Sequence, residues 1–281
     1  MTLIENNTYD EERSLYNLCD TKLNNCTFSG PNDGESPLKE CRNIIVKNST
    51  FNLRYPLWHD KGFSLISSIL YEPSRAPLWY SFNGIIEDTK IESVKALREC
   101  DNIKINNSFI NSKEFGWKCN DIVINNSNIE SEYMLFDSKN IKIDKLTFSG
   151  KYSFQYINKL YITNSILDTK DAFWHSENVE VKDSTIKGEY LGWFSKNLKL
   201  INCKIIGTQP FCYCENLELI DCEMIDCDFA FEYSSVNAKI KGNVISIKNP
   251  KSGHITVDSV DKIINDNSIM ENNCIIDILN K

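Results

Sequence analysis

Apolar residues recur along the chain with a period of 19 residues. Segments that begin at residues 97, 116, 135, 154, 173, 192 and 211 align without a gap, and each contains an apolar, any, apolar pattern such as Ile103 and Ile105. The same frame continues upstream to segments beginning at residues 78, 57, 38 and 15, with offsets of 19, 21, 19 and 23. Because no segment keeps helical spacing, the pattern predicts an all-β solenoid of about 11 to 12 coils.

The spacing within one coil indicates three short strands. Two more apolar positions flank the central pattern, represented by Leu97 and Ile110 in one coil. Three turns in a 19-residue coil leave strands of about four or five residues, which suits a single-stranded parallel β-helix. A leucine-rich-repeat-like solenoid is the alternative, although in that repeat the asparagine follows the strand and here it precedes it.

The repeat predicts one domain over residues 1–281. Residues 1–13 are expected to cap the first coil, because an open coil presents unpaired backbone. Residues 14–244 hold the regular coils. The pattern decays afterwards, so residues 245–281 are expected to form irregular C-terminal coils and a cap.

One position of the repeat is asparagine in seven of the eleven aligned coils, with Asp20 and Asp121 as close substitutes and Gly62 and Lys159 as departures. Stacked amides can hydrogen-bond from coil to coil, and asparagine tolerates the left-handed backbone of a sharp bend. The sequence therefore predicts an asparagine ladder, formed by Asn43, Asn83, Asn102, Asn140, Asn178, Asn197 and Asn216.

Most of the cysteines fall at small-residue positions beside predicted bends. Seven of the eleven occupy two such positions, namely Cys41, Cys100, Cys119 and Cys214 in one and Cys26, Cys203 and Cys222 in the other. Packing in tight corners as reduced thiols is the preferred interpretation. The residual candidate for a metal site is the group Cys212, Cys214, Cys222 and Cys227, but no metal and no cofactor is expected.

Composition narrows the possible partners. The net charge of −8 disfavours binding to nucleic acid. No apolar run is long enough to cross a membrane, and the first residues do not resemble a signal peptide. A cytoplasmic protein without membrane contact is expected.

Several segments together resemble a known family. GESPLKE, YPLW, DAFW, GEYLGW and FEYS occur in this order along the chain. Together with the coils NIKINNSFI and NLKLINCKI, they are similar to an uncharacterised bacterial "domain of unknown function" family of pectate-lyase-like proteins over most of residues 12–260. The resemblance implies a right-handed, pectin-lyase-like β-helix and a distant kinship with polysaccharide lyases and hydrolases. It implies no catalytic residues.

All five tryptophans share one position of the repeat, directly after an inward-facing apolar residue. Strand alternation points this position outward, which predicts an aromatic stripe suited to sugar rings. The alternative is that the rings lie against the solenoid and are covered by turns. The ligand-binding candidates along the stripe are Lys39, Trp58, Trp79, Arg98, Trp117, Trp174 and Trp193.

A polar position follows the stripe and supplies the catalytic candidates Glu40, Glu99, Asp137 and His175. Glu99 and Asp137 are two coils apart, about 9.6 Å at the usual strand spacing, near the upper limit for an inverting glycosidase pair. Two functions remain open. The first is binding or processing of a carbohydrate, by hydrolase, lyase or epimerase chemistry if the protein is an enzyme. The second is a non-enzymatic scaffold whose stripe docks a protein partner or a second copy of the chain.

Overall fold

The computed structural model describes residues 1–266 and 268–280. Its residue contacts divide the chain into two compact units, Met1–Lys142 and Ile143–Lys281. Each unit is built from parallel strands, and the two are described separately.

The first unit contains fifteen strands and one short 3-10 helix at Glu72–Ser74. The strands are β1 (Thr2–Glu5), β2 (Thr8–Tyr9), β3 (Cys19–Asn24), β4 (Thr27–Phe28), β5 (Arg42–Lys47), β6 (Thr50–Phe51), β7 (Lys61–Ile66), β8 (Ile69–Leu70), β9 (Phe82–Glu87), β10 (Lys90–Glu92), β11 (Asp101–Asn106), β12 (Phe109–Asn111), β13 (Glu114–Phe115), β14 (Asn120–Ser131) and β15 (Tyr133–Met134). The longer strands pair in parallel from coil to coil, the short strands after them form a second set, and β13 pairs with β15 on a third side.

The second unit continues the same plan. Its strands are β16 (Lys139–Gly150), which begins before the division point, β17 (Asn158–Thr163), β18 (Ile166–Asp168), β19 (Glu177–Lys182), β20 (Thr185–Lys187), β21 (Lys196–Ile201), β22 (Lys204–Ile206), β23 (Leu217–Ile225), β24 (Ser235–Lys248), β25 (Ser252–Ile264) and β26 (Ile275–Ile278). The longer strands again pair in parallel with the strand one coil later, as β19 does with β21.

Register explains why the period is so strict. In the first unit Leu23, Val46 and Leu65 are successive partners in adjacent coils, and in the second unit Val181 and Leu200 are partners. Because the register is the same from coil to coil, like residues lie above one another. A shift of one strand by one residue would therefore turn all of its apolar side chains outward. Both flanking apolar positions predicted from the sequence are buried, including Leu97 and Ile110 in the first unit.

The turns between strands use left-handed backbone at fixed positions. In one coil of the second unit, His175, Asn178 and Asp183 have φ angles of 53°, 56° and 51°. Non-glycine residues rarely adopt this conformation, and asparagine and aspartate tolerate it best. The same positions are left-handed in coil after coil, so each forms a column of outward-facing side chains.

The predicted all-β parallel solenoid with 19-residue coils is confirmed, with about 15 turns instead of the 11 to 12 predicted. The ends account for the difference, because their sequences lose the period while their backbones keep coiling. Residues 1–13, predicted to be a cap, contain β1 and β2, which pair with β3 and β4 as a further coil would. Beyond residue 244, β25 still pairs with β26. The single-domain assignment stays a prediction.

Candidate functional site

The tryptophan rings of the first unit are half-buried and fastened to the backbone. Trp58 Nε1 donates to the carbonyl oxygen of Ala76 at 2.6 Å, and Trp79 Nε1 donates to that of Lys95 at 2.7 Å. Trp117 makes the same type of bond to the next coil at 3.3 Å. The single hydrogen-bond donor of each indole, its Nε1–H group, is thus already bonded within the fold.

These rings also stack on one another. Trp58 and Trp79 are parallel within 5°, with centroids 5.2 Å apart. In the next coil the Arg98 guanidinium lies 5.0 Å from the Trp79 ring centroid and 5.9 Å from that of Trp117. Arg98 therefore takes the place of an aromatic ring in the column, as a planar cation can. Lys39 occupies the same column and lies 3.9 Å from Glu40.

The second unit fastens its tryptophans in the same way. Trp174 donates to the Tyr190 carbonyl oxygen at 2.6 Å, Trp193 donates to that of Gln209 at 2.8 Å, and the two rings stack 5.4 Å apart. The tryptophan column is thus neither fully exposed nor fully covered in either unit, and its indole N–H groups already have backbone partners.

A second column of aromatic side chains lies one residue further along each coil of the second unit. We call them the aromatic ladder: Tyr156, His175, Phe194, Tyr213 and Tyr233. Successive centroids are separated by 4.9, 5.0, 4.8 and 5.4 Å, and the first three pairs are parallel within 12°. Tyr156 is 50% exposed and Phe194 is 39% exposed.

Stacking determines what the aromatic ladder offers to a ligand. Its centroid spacing is close to the distance between neighbouring strands, so the ring normals run along the stack. The faces of His175, Phe194 and Tyr213 are covered by the rings on either side. Ring edges and tyrosine hydroxyls therefore face outward, and a sugar cannot lie flat on these three rings.

The repeat could have revealed the full aromatic ladder from sequence. Of the five rings, only His175 is among the candidates predicted from the sequence. A column defined by its position in the coil, regardless of polarity, would have contained all five rings.

The four catalytic candidates are surface residues with differing surroundings. Glu40 accepts a hydrogen bond from the Tyr16 hydroxyl at 2.5 Å, and Glu99 lies 3.6 Å from Arg98. Asp137 is an exposed corner residue two coils after Glu99 in the first unit. His175 stands between the rings of Tyr156 and Phe194 in the second unit.

The deeply buried acid of the first unit was not among the candidates. Asp60 is fully buried at the corner position that is cysteine or serine in neighbouring coils. Burial raises its pKa well above the usual range, and the nearby Glu40 charge adds to the effect. Its carboxyl group has a corner-packing role, since Oδ1 accepts the Cys41 backbone N–H at 2.8 Å.

Amide side chains of the second unit form the predicted ladder on its outer surface. Asn197 Nδ2 donates to Asn178 Oδ1 at 2.9 Å, and Asn216 Nδ2 donates to Asn197 Oδ1 at 2.8 Å. The first unit has an equivalent bond from Asn102 to Asn83 at 2.8 Å. The asparagine ladder is therefore confirmed in both units.

A cavity of about 360 Å³ lies along the asparagine ladder of the second unit. We call it the amide groove, and its lining residues are Asn197, Leu198, Lys199, Asn216, Glu218 and Asn237. Lys199 Nζ is 2.9 Å from Glu218 Oε2, and this bond raises the pKa of Lys199. The groove is thus lined mainly by amides and one ion pair.

The amide groove and the aromatic ladder flank the same corner of the coils. Phe194 and Asn197 are separated by two residues, and both have left-handed backbone, with φ angles of 59° and 51°. Ser195 between them is buried, whereas Lys196 is exposed and lies 3.5 Å from Glu215 of the next coil. The aromatic ladder and the amide groove therefore occupy neighbouring positions along the same coils.

The cysteine thiols face backbone carbonyls. Cys214 Sγ donates to the Gly192 carbonyl oxygen at 3.1 Å and Cys222 Sγ to that of Leu200 at 3.4 Å. The eleven cysteines are free. Over residues 1–266 and 268–280, no group of three or more histidine, cysteine or acidic side chains is placed to hold a metal ion.

Within the described part of the chain, no helix is long and apolar enough to span a membrane. The predicted cytoplasmic location stays a prediction.

Fold and surface together define a parallel β-helix with regularly repeated columns of surface side chains. The chain belongs to the family described as protein of unknown function DUF3737, which it matches over residues 2–277. The family resemblance predicted from the sequence is thereby confirmed. No curated protein matches the sequence.

Several solved structures show a distant likeness. The surface adhesin PfbA of Streptococcus pneumoniae is 12% identical over 83% of this chain and 70% of its own, with a TM-score of 0.39. The family 28 exopolygalacturonase of Yersinia enterocolitica is 9% identical over 99% and 73%, with a TM-score of 0.30. The mannuronan C-5 epimerase AlgE4 A-module of Azotobacter vinelandii is 10% identical over 98% and 87%, with a TM-score of 0.27.

Proposed function

We propose that the protein is a non-catalytic carbohydrate-binding β-helix, and that its second unit holds an extended glycan in the amide groove. The observation that carries this proposal is the groove itself, a cavity of about 360 Å³ in which Asn197 and Asn216 present the same groups at each coil. An extended sugar chain also presents similar hydroxyl groups at regular intervals.

The asparagine ladder leaves hydrogen-bonding capacity for a ligand. A carboxamide has two N–H donors and an oxygen with two lone pairs. Asn197 uses one donor toward Asn178 and one lone pair toward Asn216. One donor and one lone pair remain, which is the combination that a sugar hydroxyl, both donor and acceptor, can match.

The ring edges beside the groove supply an apolar flank. This binding mode differs from stacking on the tryptophan stripe, because the indole N–H groups have backbone partners and the stacked faces cover one another. Trp174 and Trp193 then support the surface, while Phe194 and Tyr213 would border the ligand.

Binding without catalysis is favoured by the state of the carboxylates. Glu40 and Glu99 each have a polar or cationic neighbour at the surface, and the buried Asp60 is spent on the Cys41 backbone. Glycoside hydrolysis needs two acids facing each other across a bound sugar. None of these three lines the amide groove, and the lining acid Glu218 is paired with Lys199 at 2.9 Å.

A glycan array tests the proposal. The wild type should bind extended glycans, and the double variant Asn216→Ala with Lys199→Met should lose at least ten-fold in affinity. Asn102→Ala is the matched control, because it removes an equivalent ladder bond in the first unit without touching the groove. No binding to any array glycan, or equal binding by the groove variant, would refute the proposal.

The exposed aromatic ladder favours a second candidate function, a scaffold that associates with another copy of itself. Tyr156 and Phe194 place apolar area in water without a ligand. Sedimentation of the wild type and of Phe194→Ser over a wide concentration range tests this candidate. A concentration-dependent dimer that Phe194→Ser weakens would support it, and a monomer at all concentrations would exclude it.

A further inference from the structure

A second cavity of the second unit, about 280 Å³ in volume, begins where the aromatic ladder ends. Tyr233 is the last ring of the ladder and is also part of the cavity wall. Phe229 contributes a second ring, which is 38% exposed. We call this space the ladder-end cavity. A ligand that follows the ladder would reach it without leaving the same face of the unit.

One wall of the cavity has a buried hydrogen-bond acceptor that no described residue satisfies. Asn249 is only 1% exposed, and its Nδ2 donates to the Asp266 carbonyl oxygen at 2.9 Å. Its Oδ1 is buried without a partner among the described residues. Buried acceptors are nearly always satisfied, and this atom has almost no accessible area, so a ligand reaches it only when the amide turns toward the cavity. A hydroxyl group would then provide the missing donor.

The charges around the ladder-end cavity balance. Lys248 Nζ lies 2.9 Å from Glu232 Oε1 and 5.6 Å from the centroid of the Phe229 ring. The other two charged lining residues are Lys262 and Asp266, which have opposite signs. Such a wall has no net preference for a charged ligand, but it offers donors and acceptors to a neutral hydroxylated one.

Size limits how much of a ligand can enter. About 280 Å³ is slightly below the usual range of small-molecule sites. A single sugar ring fits such a volume, whereas several linked rings would not. Two aromatic walls and several polar side chains match the mixed apolar and polar surface of that ring.

We propose that the ladder-end cavity binds the terminal residue of a neutral glycan, so that the protein recognises a chain end. This inference rests on the proposed function, because the rest of the glycan would follow the ladder and the amide groove. Lys262 donates to a ring hydroxyl, and a second hydroxyl donates to the side-chain oxygen of Asn249.

The test compares free neutral oligosaccharides with the same compounds after opening of either terminal ring, using calorimetry. The proteins are wild type, Lys262→Met, Phe229→Ala and the groove double variant. Lys251→Met is the matched control, since it removes an exposed lysine of the same region that does not line the cavity. Wild type should bind intact chains at least ten-fold more tightly than chains with one of the two ends opened.

Lys262→Met and Phe229→Ala should each abolish this difference, and Lys251→Met should preserve it. If wild type binds glycans, loses affinity in the groove variant and ignores the state of both chain ends, the proposed function stands and chain-end recognition is overturned. A preference for acidic over neutral sugars would also overturn the inference. If wild type binds no oligosaccharide, both proposals fall.

Discussion

Asp60 accepts the backbone N–H of Cys41 at 2.8 Å, in a corner where the adjacent coils carry a cysteine and a serine. The hydroxyl of Ser81, one coil later, both accepts the Asp60 N–H and donates to the Leu57 carbonyl oxygen. A carboxylate can only accept, so Asp60 matches its column best in the protonated form.

This relationship predicts how stability depends on pH. Burial raises the folded-state pKa of Asp60 above the unfolded value of about 3.9. The folded state therefore holds the proton more tightly than the unfolded state does. The contribution of Asp60 to the free energy of unfolding is largest below pH about 4, and it is lost as the pH rises through the folded-state pKa. Asp60→Asn should remove this contribution.

Thermal unfolding of wild type and Asp60→Asn between acidic and neutral pH provides the measurement. The melting temperature of Asp60→Asn minus that of wild type should increase as the pH increases. Asp88→Asn, at an exposed corner of the same unit, is the control and should show no such trend. Parallel curves for Asp60→Asn and wild type would contradict a protonated Asp60.

Replacement of a tryptophan should mainly affect stability. Trp174→Phe keeps an aromatic ring but removes the bond to the Tyr190 carbonyl oxygen, so we expect a loss of about 1 to 2 kcal/mol in the free energy of unfolding. Denaturant titration measures the loss, and the same protein should bind glycans as wild type does. Selective loss of glycan binding at unchanged stability would show that the indole contacts the ligand.

Glycine is predicted to be necessary at position 84, because the Phe63 ring of the preceding coil leaves no room for a side chain there. An added Cβ would lie 2.2 Å from Phe63 Cζ, in a buried column where Phe63, Gly84 and Ile103 are partners in successive coils. Gly84→Ala should therefore cost about 1 to 3 kcal/mol. The double variant with Phe63→Leu should recover part of that cost, and strict additivity in the double-mutant cycle would show that the two side chains do not compete for space.

Arg98 is predicted to act as a flat spacer between two indole rings. Arg98→Lys keeps the charge but loses the planar group between Trp79 and Trp117, and we expect destabilisation by about 1 kcal/mol. Arg98→Phe should lose less, because a ring can continue the stack. Denaturant titrations of both variants decide the order, and a greater loss for phenylalanine would assign the role of Arg98 to its ion pair with Glu99.

The repeat made the interior of the fold predictable. Apolar residues equivalent to Leu97 and Ile103 recur at fixed intervals along the chain. In a parallel stack of coils, residues at a fixed interval occupy the same position in each coil. The Asn197 and Asn216 ladder followed from the same logic. The outlying coils could not be found this way, because β1 and β26 keep the backbone hydrogen bonds of the stack without keeping its side-chain pattern.

The surface was less predictable, because alternation fixes only which side of a strand a residue occupies. It placed Trp174 outward, yet the indole folds back to bond the next coil, a contact that depends on side-chain length and the carbonyl of Tyr190. The buried carboxyl group of Asp60 had no sequence signal except its departure from a cysteine and serine column. The ladder-end cavity arises where the period fails, so no repeat could indicate it.

The length of the aromatic ladder is set by the number of coils that it crosses. Each coil adds one ring at about 5 Å, from Tyr156 to Tyr233, and no ring depends on a loop of its own. Removal of one whole coil, residues 192–210, would leave the stack closed and shorten the ladder by one ring. The fold is therefore a molecular ruler, in which gain or loss of a coil changes the reach of the surface in equal steps.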